Sequence, residues 1–167
     1  GVDLGALQPA LPGRLYTKTR RISLAPLEYV ADLPRLEALL AADPDPGLSL
    51  IGRRDLRSNN SWMHNSHRLV KGPERCTLRM HPSDAESREL ANGSVVRITS
   101  RVGSVVATLE IREDVMPGVV SLPHGWGHDR DDTRQRVAEA HPGVSVNDLT
   151  DDAKVDQLNG NAAFSGV

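Results

Sequence analysis

Leu48-Ser-Leu-Ile-Gly-Arg-Arg-Asp-Leu-Arg-Ser-Asn-Asn-Ser-Trp-Met-His-Asn-Ser-His67 begins as a short apolar run and breaks into a polar loop at Gly52. The apolar part reads as a buried strand. Gly52 lets a ligand approach the main chain, and Arg53, Arg54 and Arg57 bring planar guanidinium forks suited to phosphate. Ser58, Asn59, Asn60, Ser61 and Asn65 add groups that both donate and accept, while Trp62 and His64 offer flat faces for stacking. Together these residue types suit a phosphorylated heterocycle. The plainer reading is a solvated arginine-rich loop, but its place at the end of a strand is where binding loops sit on a rigid scaffold.

Working outward, Cys76–His81 alternates as a half-buried strand, and Pro82–Ala91 reads as a short helix with Ser83 and Glu86 at capping-box spacing and Asn92-Gly93 as its stop. Ser94–Ser100 and Ser104–Ile111 are β-branched runs that Arg101-Val-Gly103 joins in a tight hairpin. Val115-Met-Pro-Gly118 is a turn, Val119–Pro123 a strand, and His124-Gly-Trp-Gly-His128 a polar loop. Upstream, Gly1–Gly13 reads as loop, Arg21–Pro26 as a short strand, and residues 33–42 as one helix with Leu36, Leu39 and Leu40 on its apolar face. Asp43-Pro-Asp-Pro-Gly47 then stops that helix. Crossovers this short exclude a doubly wound parallel sheet. The expected class is mainly β with short helices, and a closed β-barrel fits the spacing best. Residues 1–47 form a lead-in segment, and residues 48–167 form the domain.

At 167 residues with 3% aromatics, the chain holds one substantial core, built from Val, Leu, Ile and Ala. The net charge is −2, but residues 50–80 carry seven cations against two acids, whereas residues 129–167 carry eight acids against four cations. The opening loop lies in the basic half. A lone cysteine, Cys76, excludes an internal disulfide and suits a reducing, cytoplasmic compartment. No apolar run is long enough to cross a bilayer, so no direct membrane contact is expected. The start at Gly1 and the end at Val167 read as a piece of a longer polypeptide.

Three motifs in this order carry a resemblance. They are the strand with Gly52-Arg53 and Trp62-Met63-His64-Asn65, the run Met80-His-Pro-Ser-Asp-Ala85 with Gly93, Gly103 and Gly118-Val-Val120, and Val146-Asn-Asp-Leu-Thr-Asp-Asp152 followed by Asp156-Gln-Leu-Asn-Gly160. Ile22–Pro26 with Asp32-Leu-Pro-Arg-Leu36 adds a weaker match. Together they resemble the C-terminal molybdopterin-dinucleotide-binding domain of the molybdopterin oxidoreductases, the dimethyl sulfoxide reductase family. The resemblance implies a double-psi β-barrel of the aspartate-decarboxylase-like kind, and a domain that anchors molybdopterin guanine dinucleotide, present as bis-MGD with molybdenum or tungsten in the full enzyme. It implies that the partners are the remaining domains of a parent oxidoreductase and that the domain alone is inactive. Where the family has glycine, this chain has Arg88 or Glu89, and Phe164 stands near a lysine that contacts the cofactor in some members.

On this reading Arg53, aided by Arg54 or Arg57, neutralises pyrophosphate and the Gly52 main chain approaches it. Asn60, Ser61 and His64 hydrogen-bond the pterin or its phosphate, Trp62 and Trp126 wall the rings, and Asn147 fixes the pterin edge. Arg53→Ala is then expected to leave the fold intact, as for any exposed loop arginine. Catalytic residues and metal ligands are expected on other domains. His124 and His128 are spaced like a ligand pair, but they span two glycines in a loop without a matching second pair. Ser61 with His64 or His67 lacks a serine elbow. The basic segment is too short, and too poor in aromatics, for nucleic acid. The alternative reading is a non-catalytic double-psi barrel adaptor that binds a protein or peptide, as in the substrate-recognition domains of some AAA ATPases.

Overall fold

The computed structural model describes residues 1–43, 47–153 and 155–161. The chain divides into two compact units, Gly1–Pro44 and Asp45–Val167. The first contains α1 (Leu27–Ala31) and α2 (Leu33–Ala41). Pro34 sits in the first turn of α2, where its missing N–H costs nothing. Asp32 precedes the helix without capping it, because its carboxylate is held at 2.6 Å by Arg35. Neither helix buries a residue, and Leu36, Leu39 and Leu40 are exposed. Arg21–Pro26 forms no strand, because no partner strand accompanies it and a lone extended segment leaves its backbone groups unpaired. The expected helix stop at 44–46 and Phe164 lie outside the described residues.

The second unit runs β1 (Ser49–Arg53), α3 (His67–Val70), β2 (Thr77–Met80), α4 (Pro82–Glu86), β3 (Val95–Thr99), β4 (Ser104–Ile111), β5 (Val119–Pro123), α5 (Arg136–Glu139) and a 3₁₀ turn at Val146–Asp148. The five strands form one mixed sheet in the order β1-β5-β2-β4-β3. β1 lies parallel to β5, β5 antiparallel to β2, β2 parallel to β4, and β4 antiparallel to β3. The domain is therefore mainly β with short helices. Among the described strands, hydrogen bonding runs from β1 to β3 without closing on itself. β1 is also less buried than its sequence suggests. As an edge strand it covers only Leu50, and Ile51 stays 43% exposed.

The core is aliphatic, as the composition requires, with Leu50, Leu78, Met80, Leu109, Leu122 and Leu149 at its centre. Each such side chain stabilises the fold by about 1.5–3 kcal/mol. The expected hairpin forms, with the Ser100 N–H donating to the Gly103 carbonyl at 2.9 Å. A Cβ on Gly103 would strike the Asp148 carbonyl oxygen, so the hairpin turn packs directly on the 3₁₀ turn. The helix cap differs from expectation. The His81 side chain accepts from the Ser83 N–H at 3.2 Å, and its ring also holds the Ser83 hydroxyl that a capping box would use. At the other end Glu89 takes φ +56°, and the Leu90 N–H reaches back to the Ala85 carbonyl at 2.9 Å. This is a left-handed helix stop made without glycine. Among the described residues no helix is long and apolar enough to cross a membrane.

Candidate functional site

Because β1 and β5 are parallel, with Gly52 beside Leu122 and Arg53 beside Pro123, the loops that follow both strands leave the sheet at the same end. A cleft of about 520 Å³ opens there, with Gly52, His124, Gly125 and Asn147 in its walls. Gly52 is exposed, with no atom within 4 Å of where a Cβ would stand, so its backbone is open to a ligand. Asn147 is exposed on the 3₁₀ turn, and its side-chain amide makes no hydrogen bond among the described residues. The cleft thus unites residues from the first and last of the three sequence motifs.

Two glycines set its shape. Gly125 has φ +89°, and a Cβ there would overlap the Asn60 carbonyl oxygen and come within 2.5 Å of the Asn60 carbonyl carbon. Gly127 has φ +102°, and its Cβ would lie 2.7 Å from the Ser145 Cβ. The loop after β5 is therefore pressed against the loop after β1 on one side and against the segment leading to Asn147 on the other. Asn59 and Asn60 both adopt positive φ, which asparagine tolerates better than most residues. The Asn60 Oδ1 lies 2.9 Å from His124 Nε2, so it accepts from a ring protonated at that nitrogen.

Behind the cleft lies a buried chain of polar groups. His64, only 1% exposed, sits 2.7 Å from Ser58 Oγ through Nε2 and 2.7 Å from His128 Nε2 through Nδ1. Its ring stacks against Trp126 at 4.0 Å between centroids. Burial, reinforced by His128, pulls the His64 pKa down to about 4, and burial lowers that of His128 as well. The close ring-to-ring contact requires one nitrogen to donate and the other to accept, so the two facing nitrogens share one proton. Asn65 Oδ1 accepts from the Val137 N–H at 3.0 Å and ties the same loop to α5.

The remaining sequence-predicted residues fall outside the cleft walls. Arg53 is half-buried at the end of β1. Its guanidinium donates to the carbonyls of Ser121 (2.7 Å), Thr77 (2.8 Å) and Arg75 (3.2 Å), and to the Thr77 hydroxyl (3.1 Å). Burial and the nearby Arg79 lower its pKa to about 10. It stitches β1 to β5 and β2, so it is not a free loop residue and the expectation that its loss leaves the fold intact is corrected. Arg57 turns toward α3 and donates to the Arg68 carbonyl at 3.0 Å. Arg54 is exposed and makes no hydrogen bond or ion pair among the described residues. Ser61 is half-buried, Trp62 is 84% exposed, and Trp126 is buried with its indole N–H unpartnered among the described residues.

Sequence reasoning passed over His124, Gly125, Gly127 and His128 as components of the cofactor site, and named Ser58 only among the polar groups of the loop. A signal existed in the glycines that alternate with His124, Trp126 and His128 directly after a strand. His124 bonds Asn60, and His128 bonds His64. Among the described residues no three His, Cys, Asp or Glu side chains gather as a metal would require.

Comparison with known proteins places the chain in a family. The chain is 29% identical over 150 residues to the F420-dependent formate dehydrogenase subunit alpha of Methanocaldococcus jannaschii, covering 87% of this chain and 20% of that protein. It is 28% identical over 131 residues to the molybdopterin-containing subunit of the arsenate respiratory reductase of Chrysiogenes arsenatis, covering 71% and 15%. The acetylene hydratase of Pelobacter acetylenicus superposes with a TM-score of 0.60 at 19% identity, over 81% of this chain and 18% of that one, a likeness of fold. The chain thus spans about a fifth or less of each of these proteins. Residues 48–167 match the family profile described as "Molydopterin dinucleotide binding domain", and the chain belongs to that family.

Proposed function

We propose that residues 48–167 anchor one molybdopterin guanine dinucleotide within a larger molybdenum or tungsten oxidoreductase, with residues 1–47 as a lead-in segment. The observation that carries this reading is the convergence of Gly52, His124, Gly125 and Asn147 on one cleft at the ends of the parallel β1 and β5. The donor set fits such a group: a cleft of ligand-binding size holds an open stretch of main chain at Gly52 and an unengaged amide at Asn147, and the loop after β1 adds the exposed Trp62 indole and Arg54 guanidinium. When bound, the cofactor supplies the metal at which electron and atom transfer occur.

The chain's own residues divide into two kinds. Gly52 offers main-chain contact and Asn147 reads a heterocycle edge with its paired donor and acceptor. Asn60 and Ser61 supply hydrogen bonds along the rim, and Trp62 walls a ring. Arg54 meets phosphate as a fork for its oxygens, while Arg57, with its terminal nitrogens on the Lys71 and Arg68 carbonyls, braces the loop toward α3. Arg53, His64 and Trp126 act from behind, holding the strand ends and the two loops in register. The two parallel pairs within one short mixed sheet support a double-psi barrel as the finer architecture. The other partners are the parent's remaining domains, in a cytoplasmic enzyme.

The test is Asn147→Ala in the full-length parent enzyme, read as guanine nucleotide and metal per polypeptide. Loss of one or two amide hydrogen bonds, at about 1 kcal/mol each, lowers retention roughly fivefold to thirtyfold under exchange conditions. Unchanged content would overturn the assignment.

A further inference from the structure

Asn147 stands in the cleft wall on a 3₁₀ turn of three residues, and a turn that short has little rigidity of its own. Its position is set by what lies behind it. Val146 and Leu149 are 3% and 0% exposed and pack into the aliphatic core, which fixes the depth of the turn. Apolar packing is non-directional, however, and does not by itself fix the direction in which the Asn147 amide leaves the turn.

The turn of the β3–β4 hairpin supplies that direction. Gly103 lies directly against the Asp148 carbonyl, where a Cβ would have no room. Two residues earlier Arg101 spreads its guanidinium over the Asp151 carboxylate, with Nε 2.5 Å from Oδ2 and Nη2 2.6 Å from Oδ1. The same Oδ1 accepts from the Ala153 N–H at 2.9 Å, so the carboxylate also ties down the segment that leaves the turn. The Asp151 side chain is only 6% exposed. A carboxylate so deeply placed needs its cation, because an unpaired buried charge is strongly unfavourable, and a bidentate pair fixes angle as well as distance. Arg130 makes a second pair with Asp148, but both of its members are exposed, and such pairs hold little in water.

We infer that Arg101 and Asp151 are positioning residues for the cofactor: their forked pair aims the Asn147 amide into the cleft, so that its donor and acceptor meet a heterocycle edge together. Neither residue lines the cleft. The role rests on the cofactor-anchoring reading of Asn147 given above. Because the hairpin belongs to the sheet edge opposite β1, a cleft at the ends of β1 and β5 is then governed in part from the far side of the sheet.

The experiment is a double-mutant cycle in the full-length parent enzyme, with Arg101→Ala, Asn147→Ala and the two combined, read as guanine nucleotide and metal per polypeptide under exchange conditions. Hydrogen exchange at the Leu149 and Thr150 amides, which bond the Val146 and Asn147 carbonyls, reports the order of the turn. Arg101→Ala should lower retention about threefold or more without exceeding the roughly fivefold to thirtyfold loss of Asn147→Ala. The two amides should exchange faster while those of β2 and β5 are unchanged. In the Asn147→Ala background, Arg101→Ala should change retention by less than about twofold, since its effect passes through the missing amide. Losses that multiply in the double variant would overturn the inference, and so would full retention by Arg101→Ala beside a depleted Asn147→Ala. Full retention by Asn147→Ala would instead overturn the anchoring reading, and the positioning role would fall with it. If Arg101→Ala does not fold, Arg101→Lys takes its place in the cycle, because it keeps a cation at Asp151 without the planar fork.

Discussion

Gly125→Ala tests how the cleft is built. The residue holds φ +89°, which costs an alanine about 1–3 kcal/mol. Its new methyl group would overlap the Asn60 carbonyl oxygen and lie 3.1 Å from the Ser61 nitrogen, both backbone atoms that cannot rotate away. Relief by backbone movement adds about 1–3 kcal/mol, for a total of roughly 2–6 kcal/mol concentrated on the contact between the two loops. Gly52→Ala is the control. No atom stands within 4 Å of its Cβ position, so its effect on stability is within about 0.5 kcal/mol. The assay is guanine nucleotide and metal content of each full-length variant, with hydrogen exchange over residues 58–65 as the local structural readout. Gly125→Ala should lose cofactor and loosen that loop. Gly52→Ala should lose cofactor with the loop unchanged. A Gly125→Ala enzyme with full cofactor and a protected loop would refute the close approach as the origin of the site.

Arg53→Ala should destabilise the domain by about 2–3 kcal/mol, because a charged donor to three carbonyls is removed; a midpoint shift below a quarter of that in denaturant would place the guanidinium elsewhere. Arg53→Lys should recover only part of the loss, since an ammonium lacks the planar fork. The pH dependence follows from His64. Its folded pKa of about 4 lies below the ordinary 6.5, so the unfolded state binds more protons between those values. The corresponding stability is complete above pH 6.5 and is lost as pH falls toward 4, to a total of about 3 kcal/mol. Denaturant midpoints of the native protein should decline through this window, and those of His64→Gln should decline less; parallel profiles would contradict a buried neutral imidazole. Glu89→Gly should stabilise the domain by about 0.5–1 kcal/mol, the left-handed penalty less the added freedom of the unfolded chain, measured as a raised melting temperature.

Several elements were legible because their signals are local. The hairpin of β3 and β4 follows from two β-branched runs separated by Arg101-Val-Gly103, and β5 from the apolar run between Gly118 and Pro123. Arg88 or Glu89 was marked in advance as a departure from glycine, and Glu89 takes left-handed geometry in the structure. Arg21–Pro26 misled because alternation without a partner does not make a strand. Arg53 misled because its sequence context suggested a free loop, whereas the carbonyls that engage it lie 22 to 68 residues away.

The sequence by itself determined a mainly β domain with an aliphatic core, a polar loop after its first strand, and the three ordered motifs that mark its family. Those properties reside in residue type and short-range spacing. The tertiary structure decided which of the polar residues line the cleft. Parallel pairing of β1 with β5 brings Gly52 beside the loop of His124 and Gly125, and the 3₁₀ turn carries Asn147 to the same cleft. Packing then turned His64 and Trp126 inward and spent the Arg53 fork on backbone carbonyls. Burial and partner choice of that kind depend on contacts between residues distant in the chain, so no reading of neighbours in sequence could supply them.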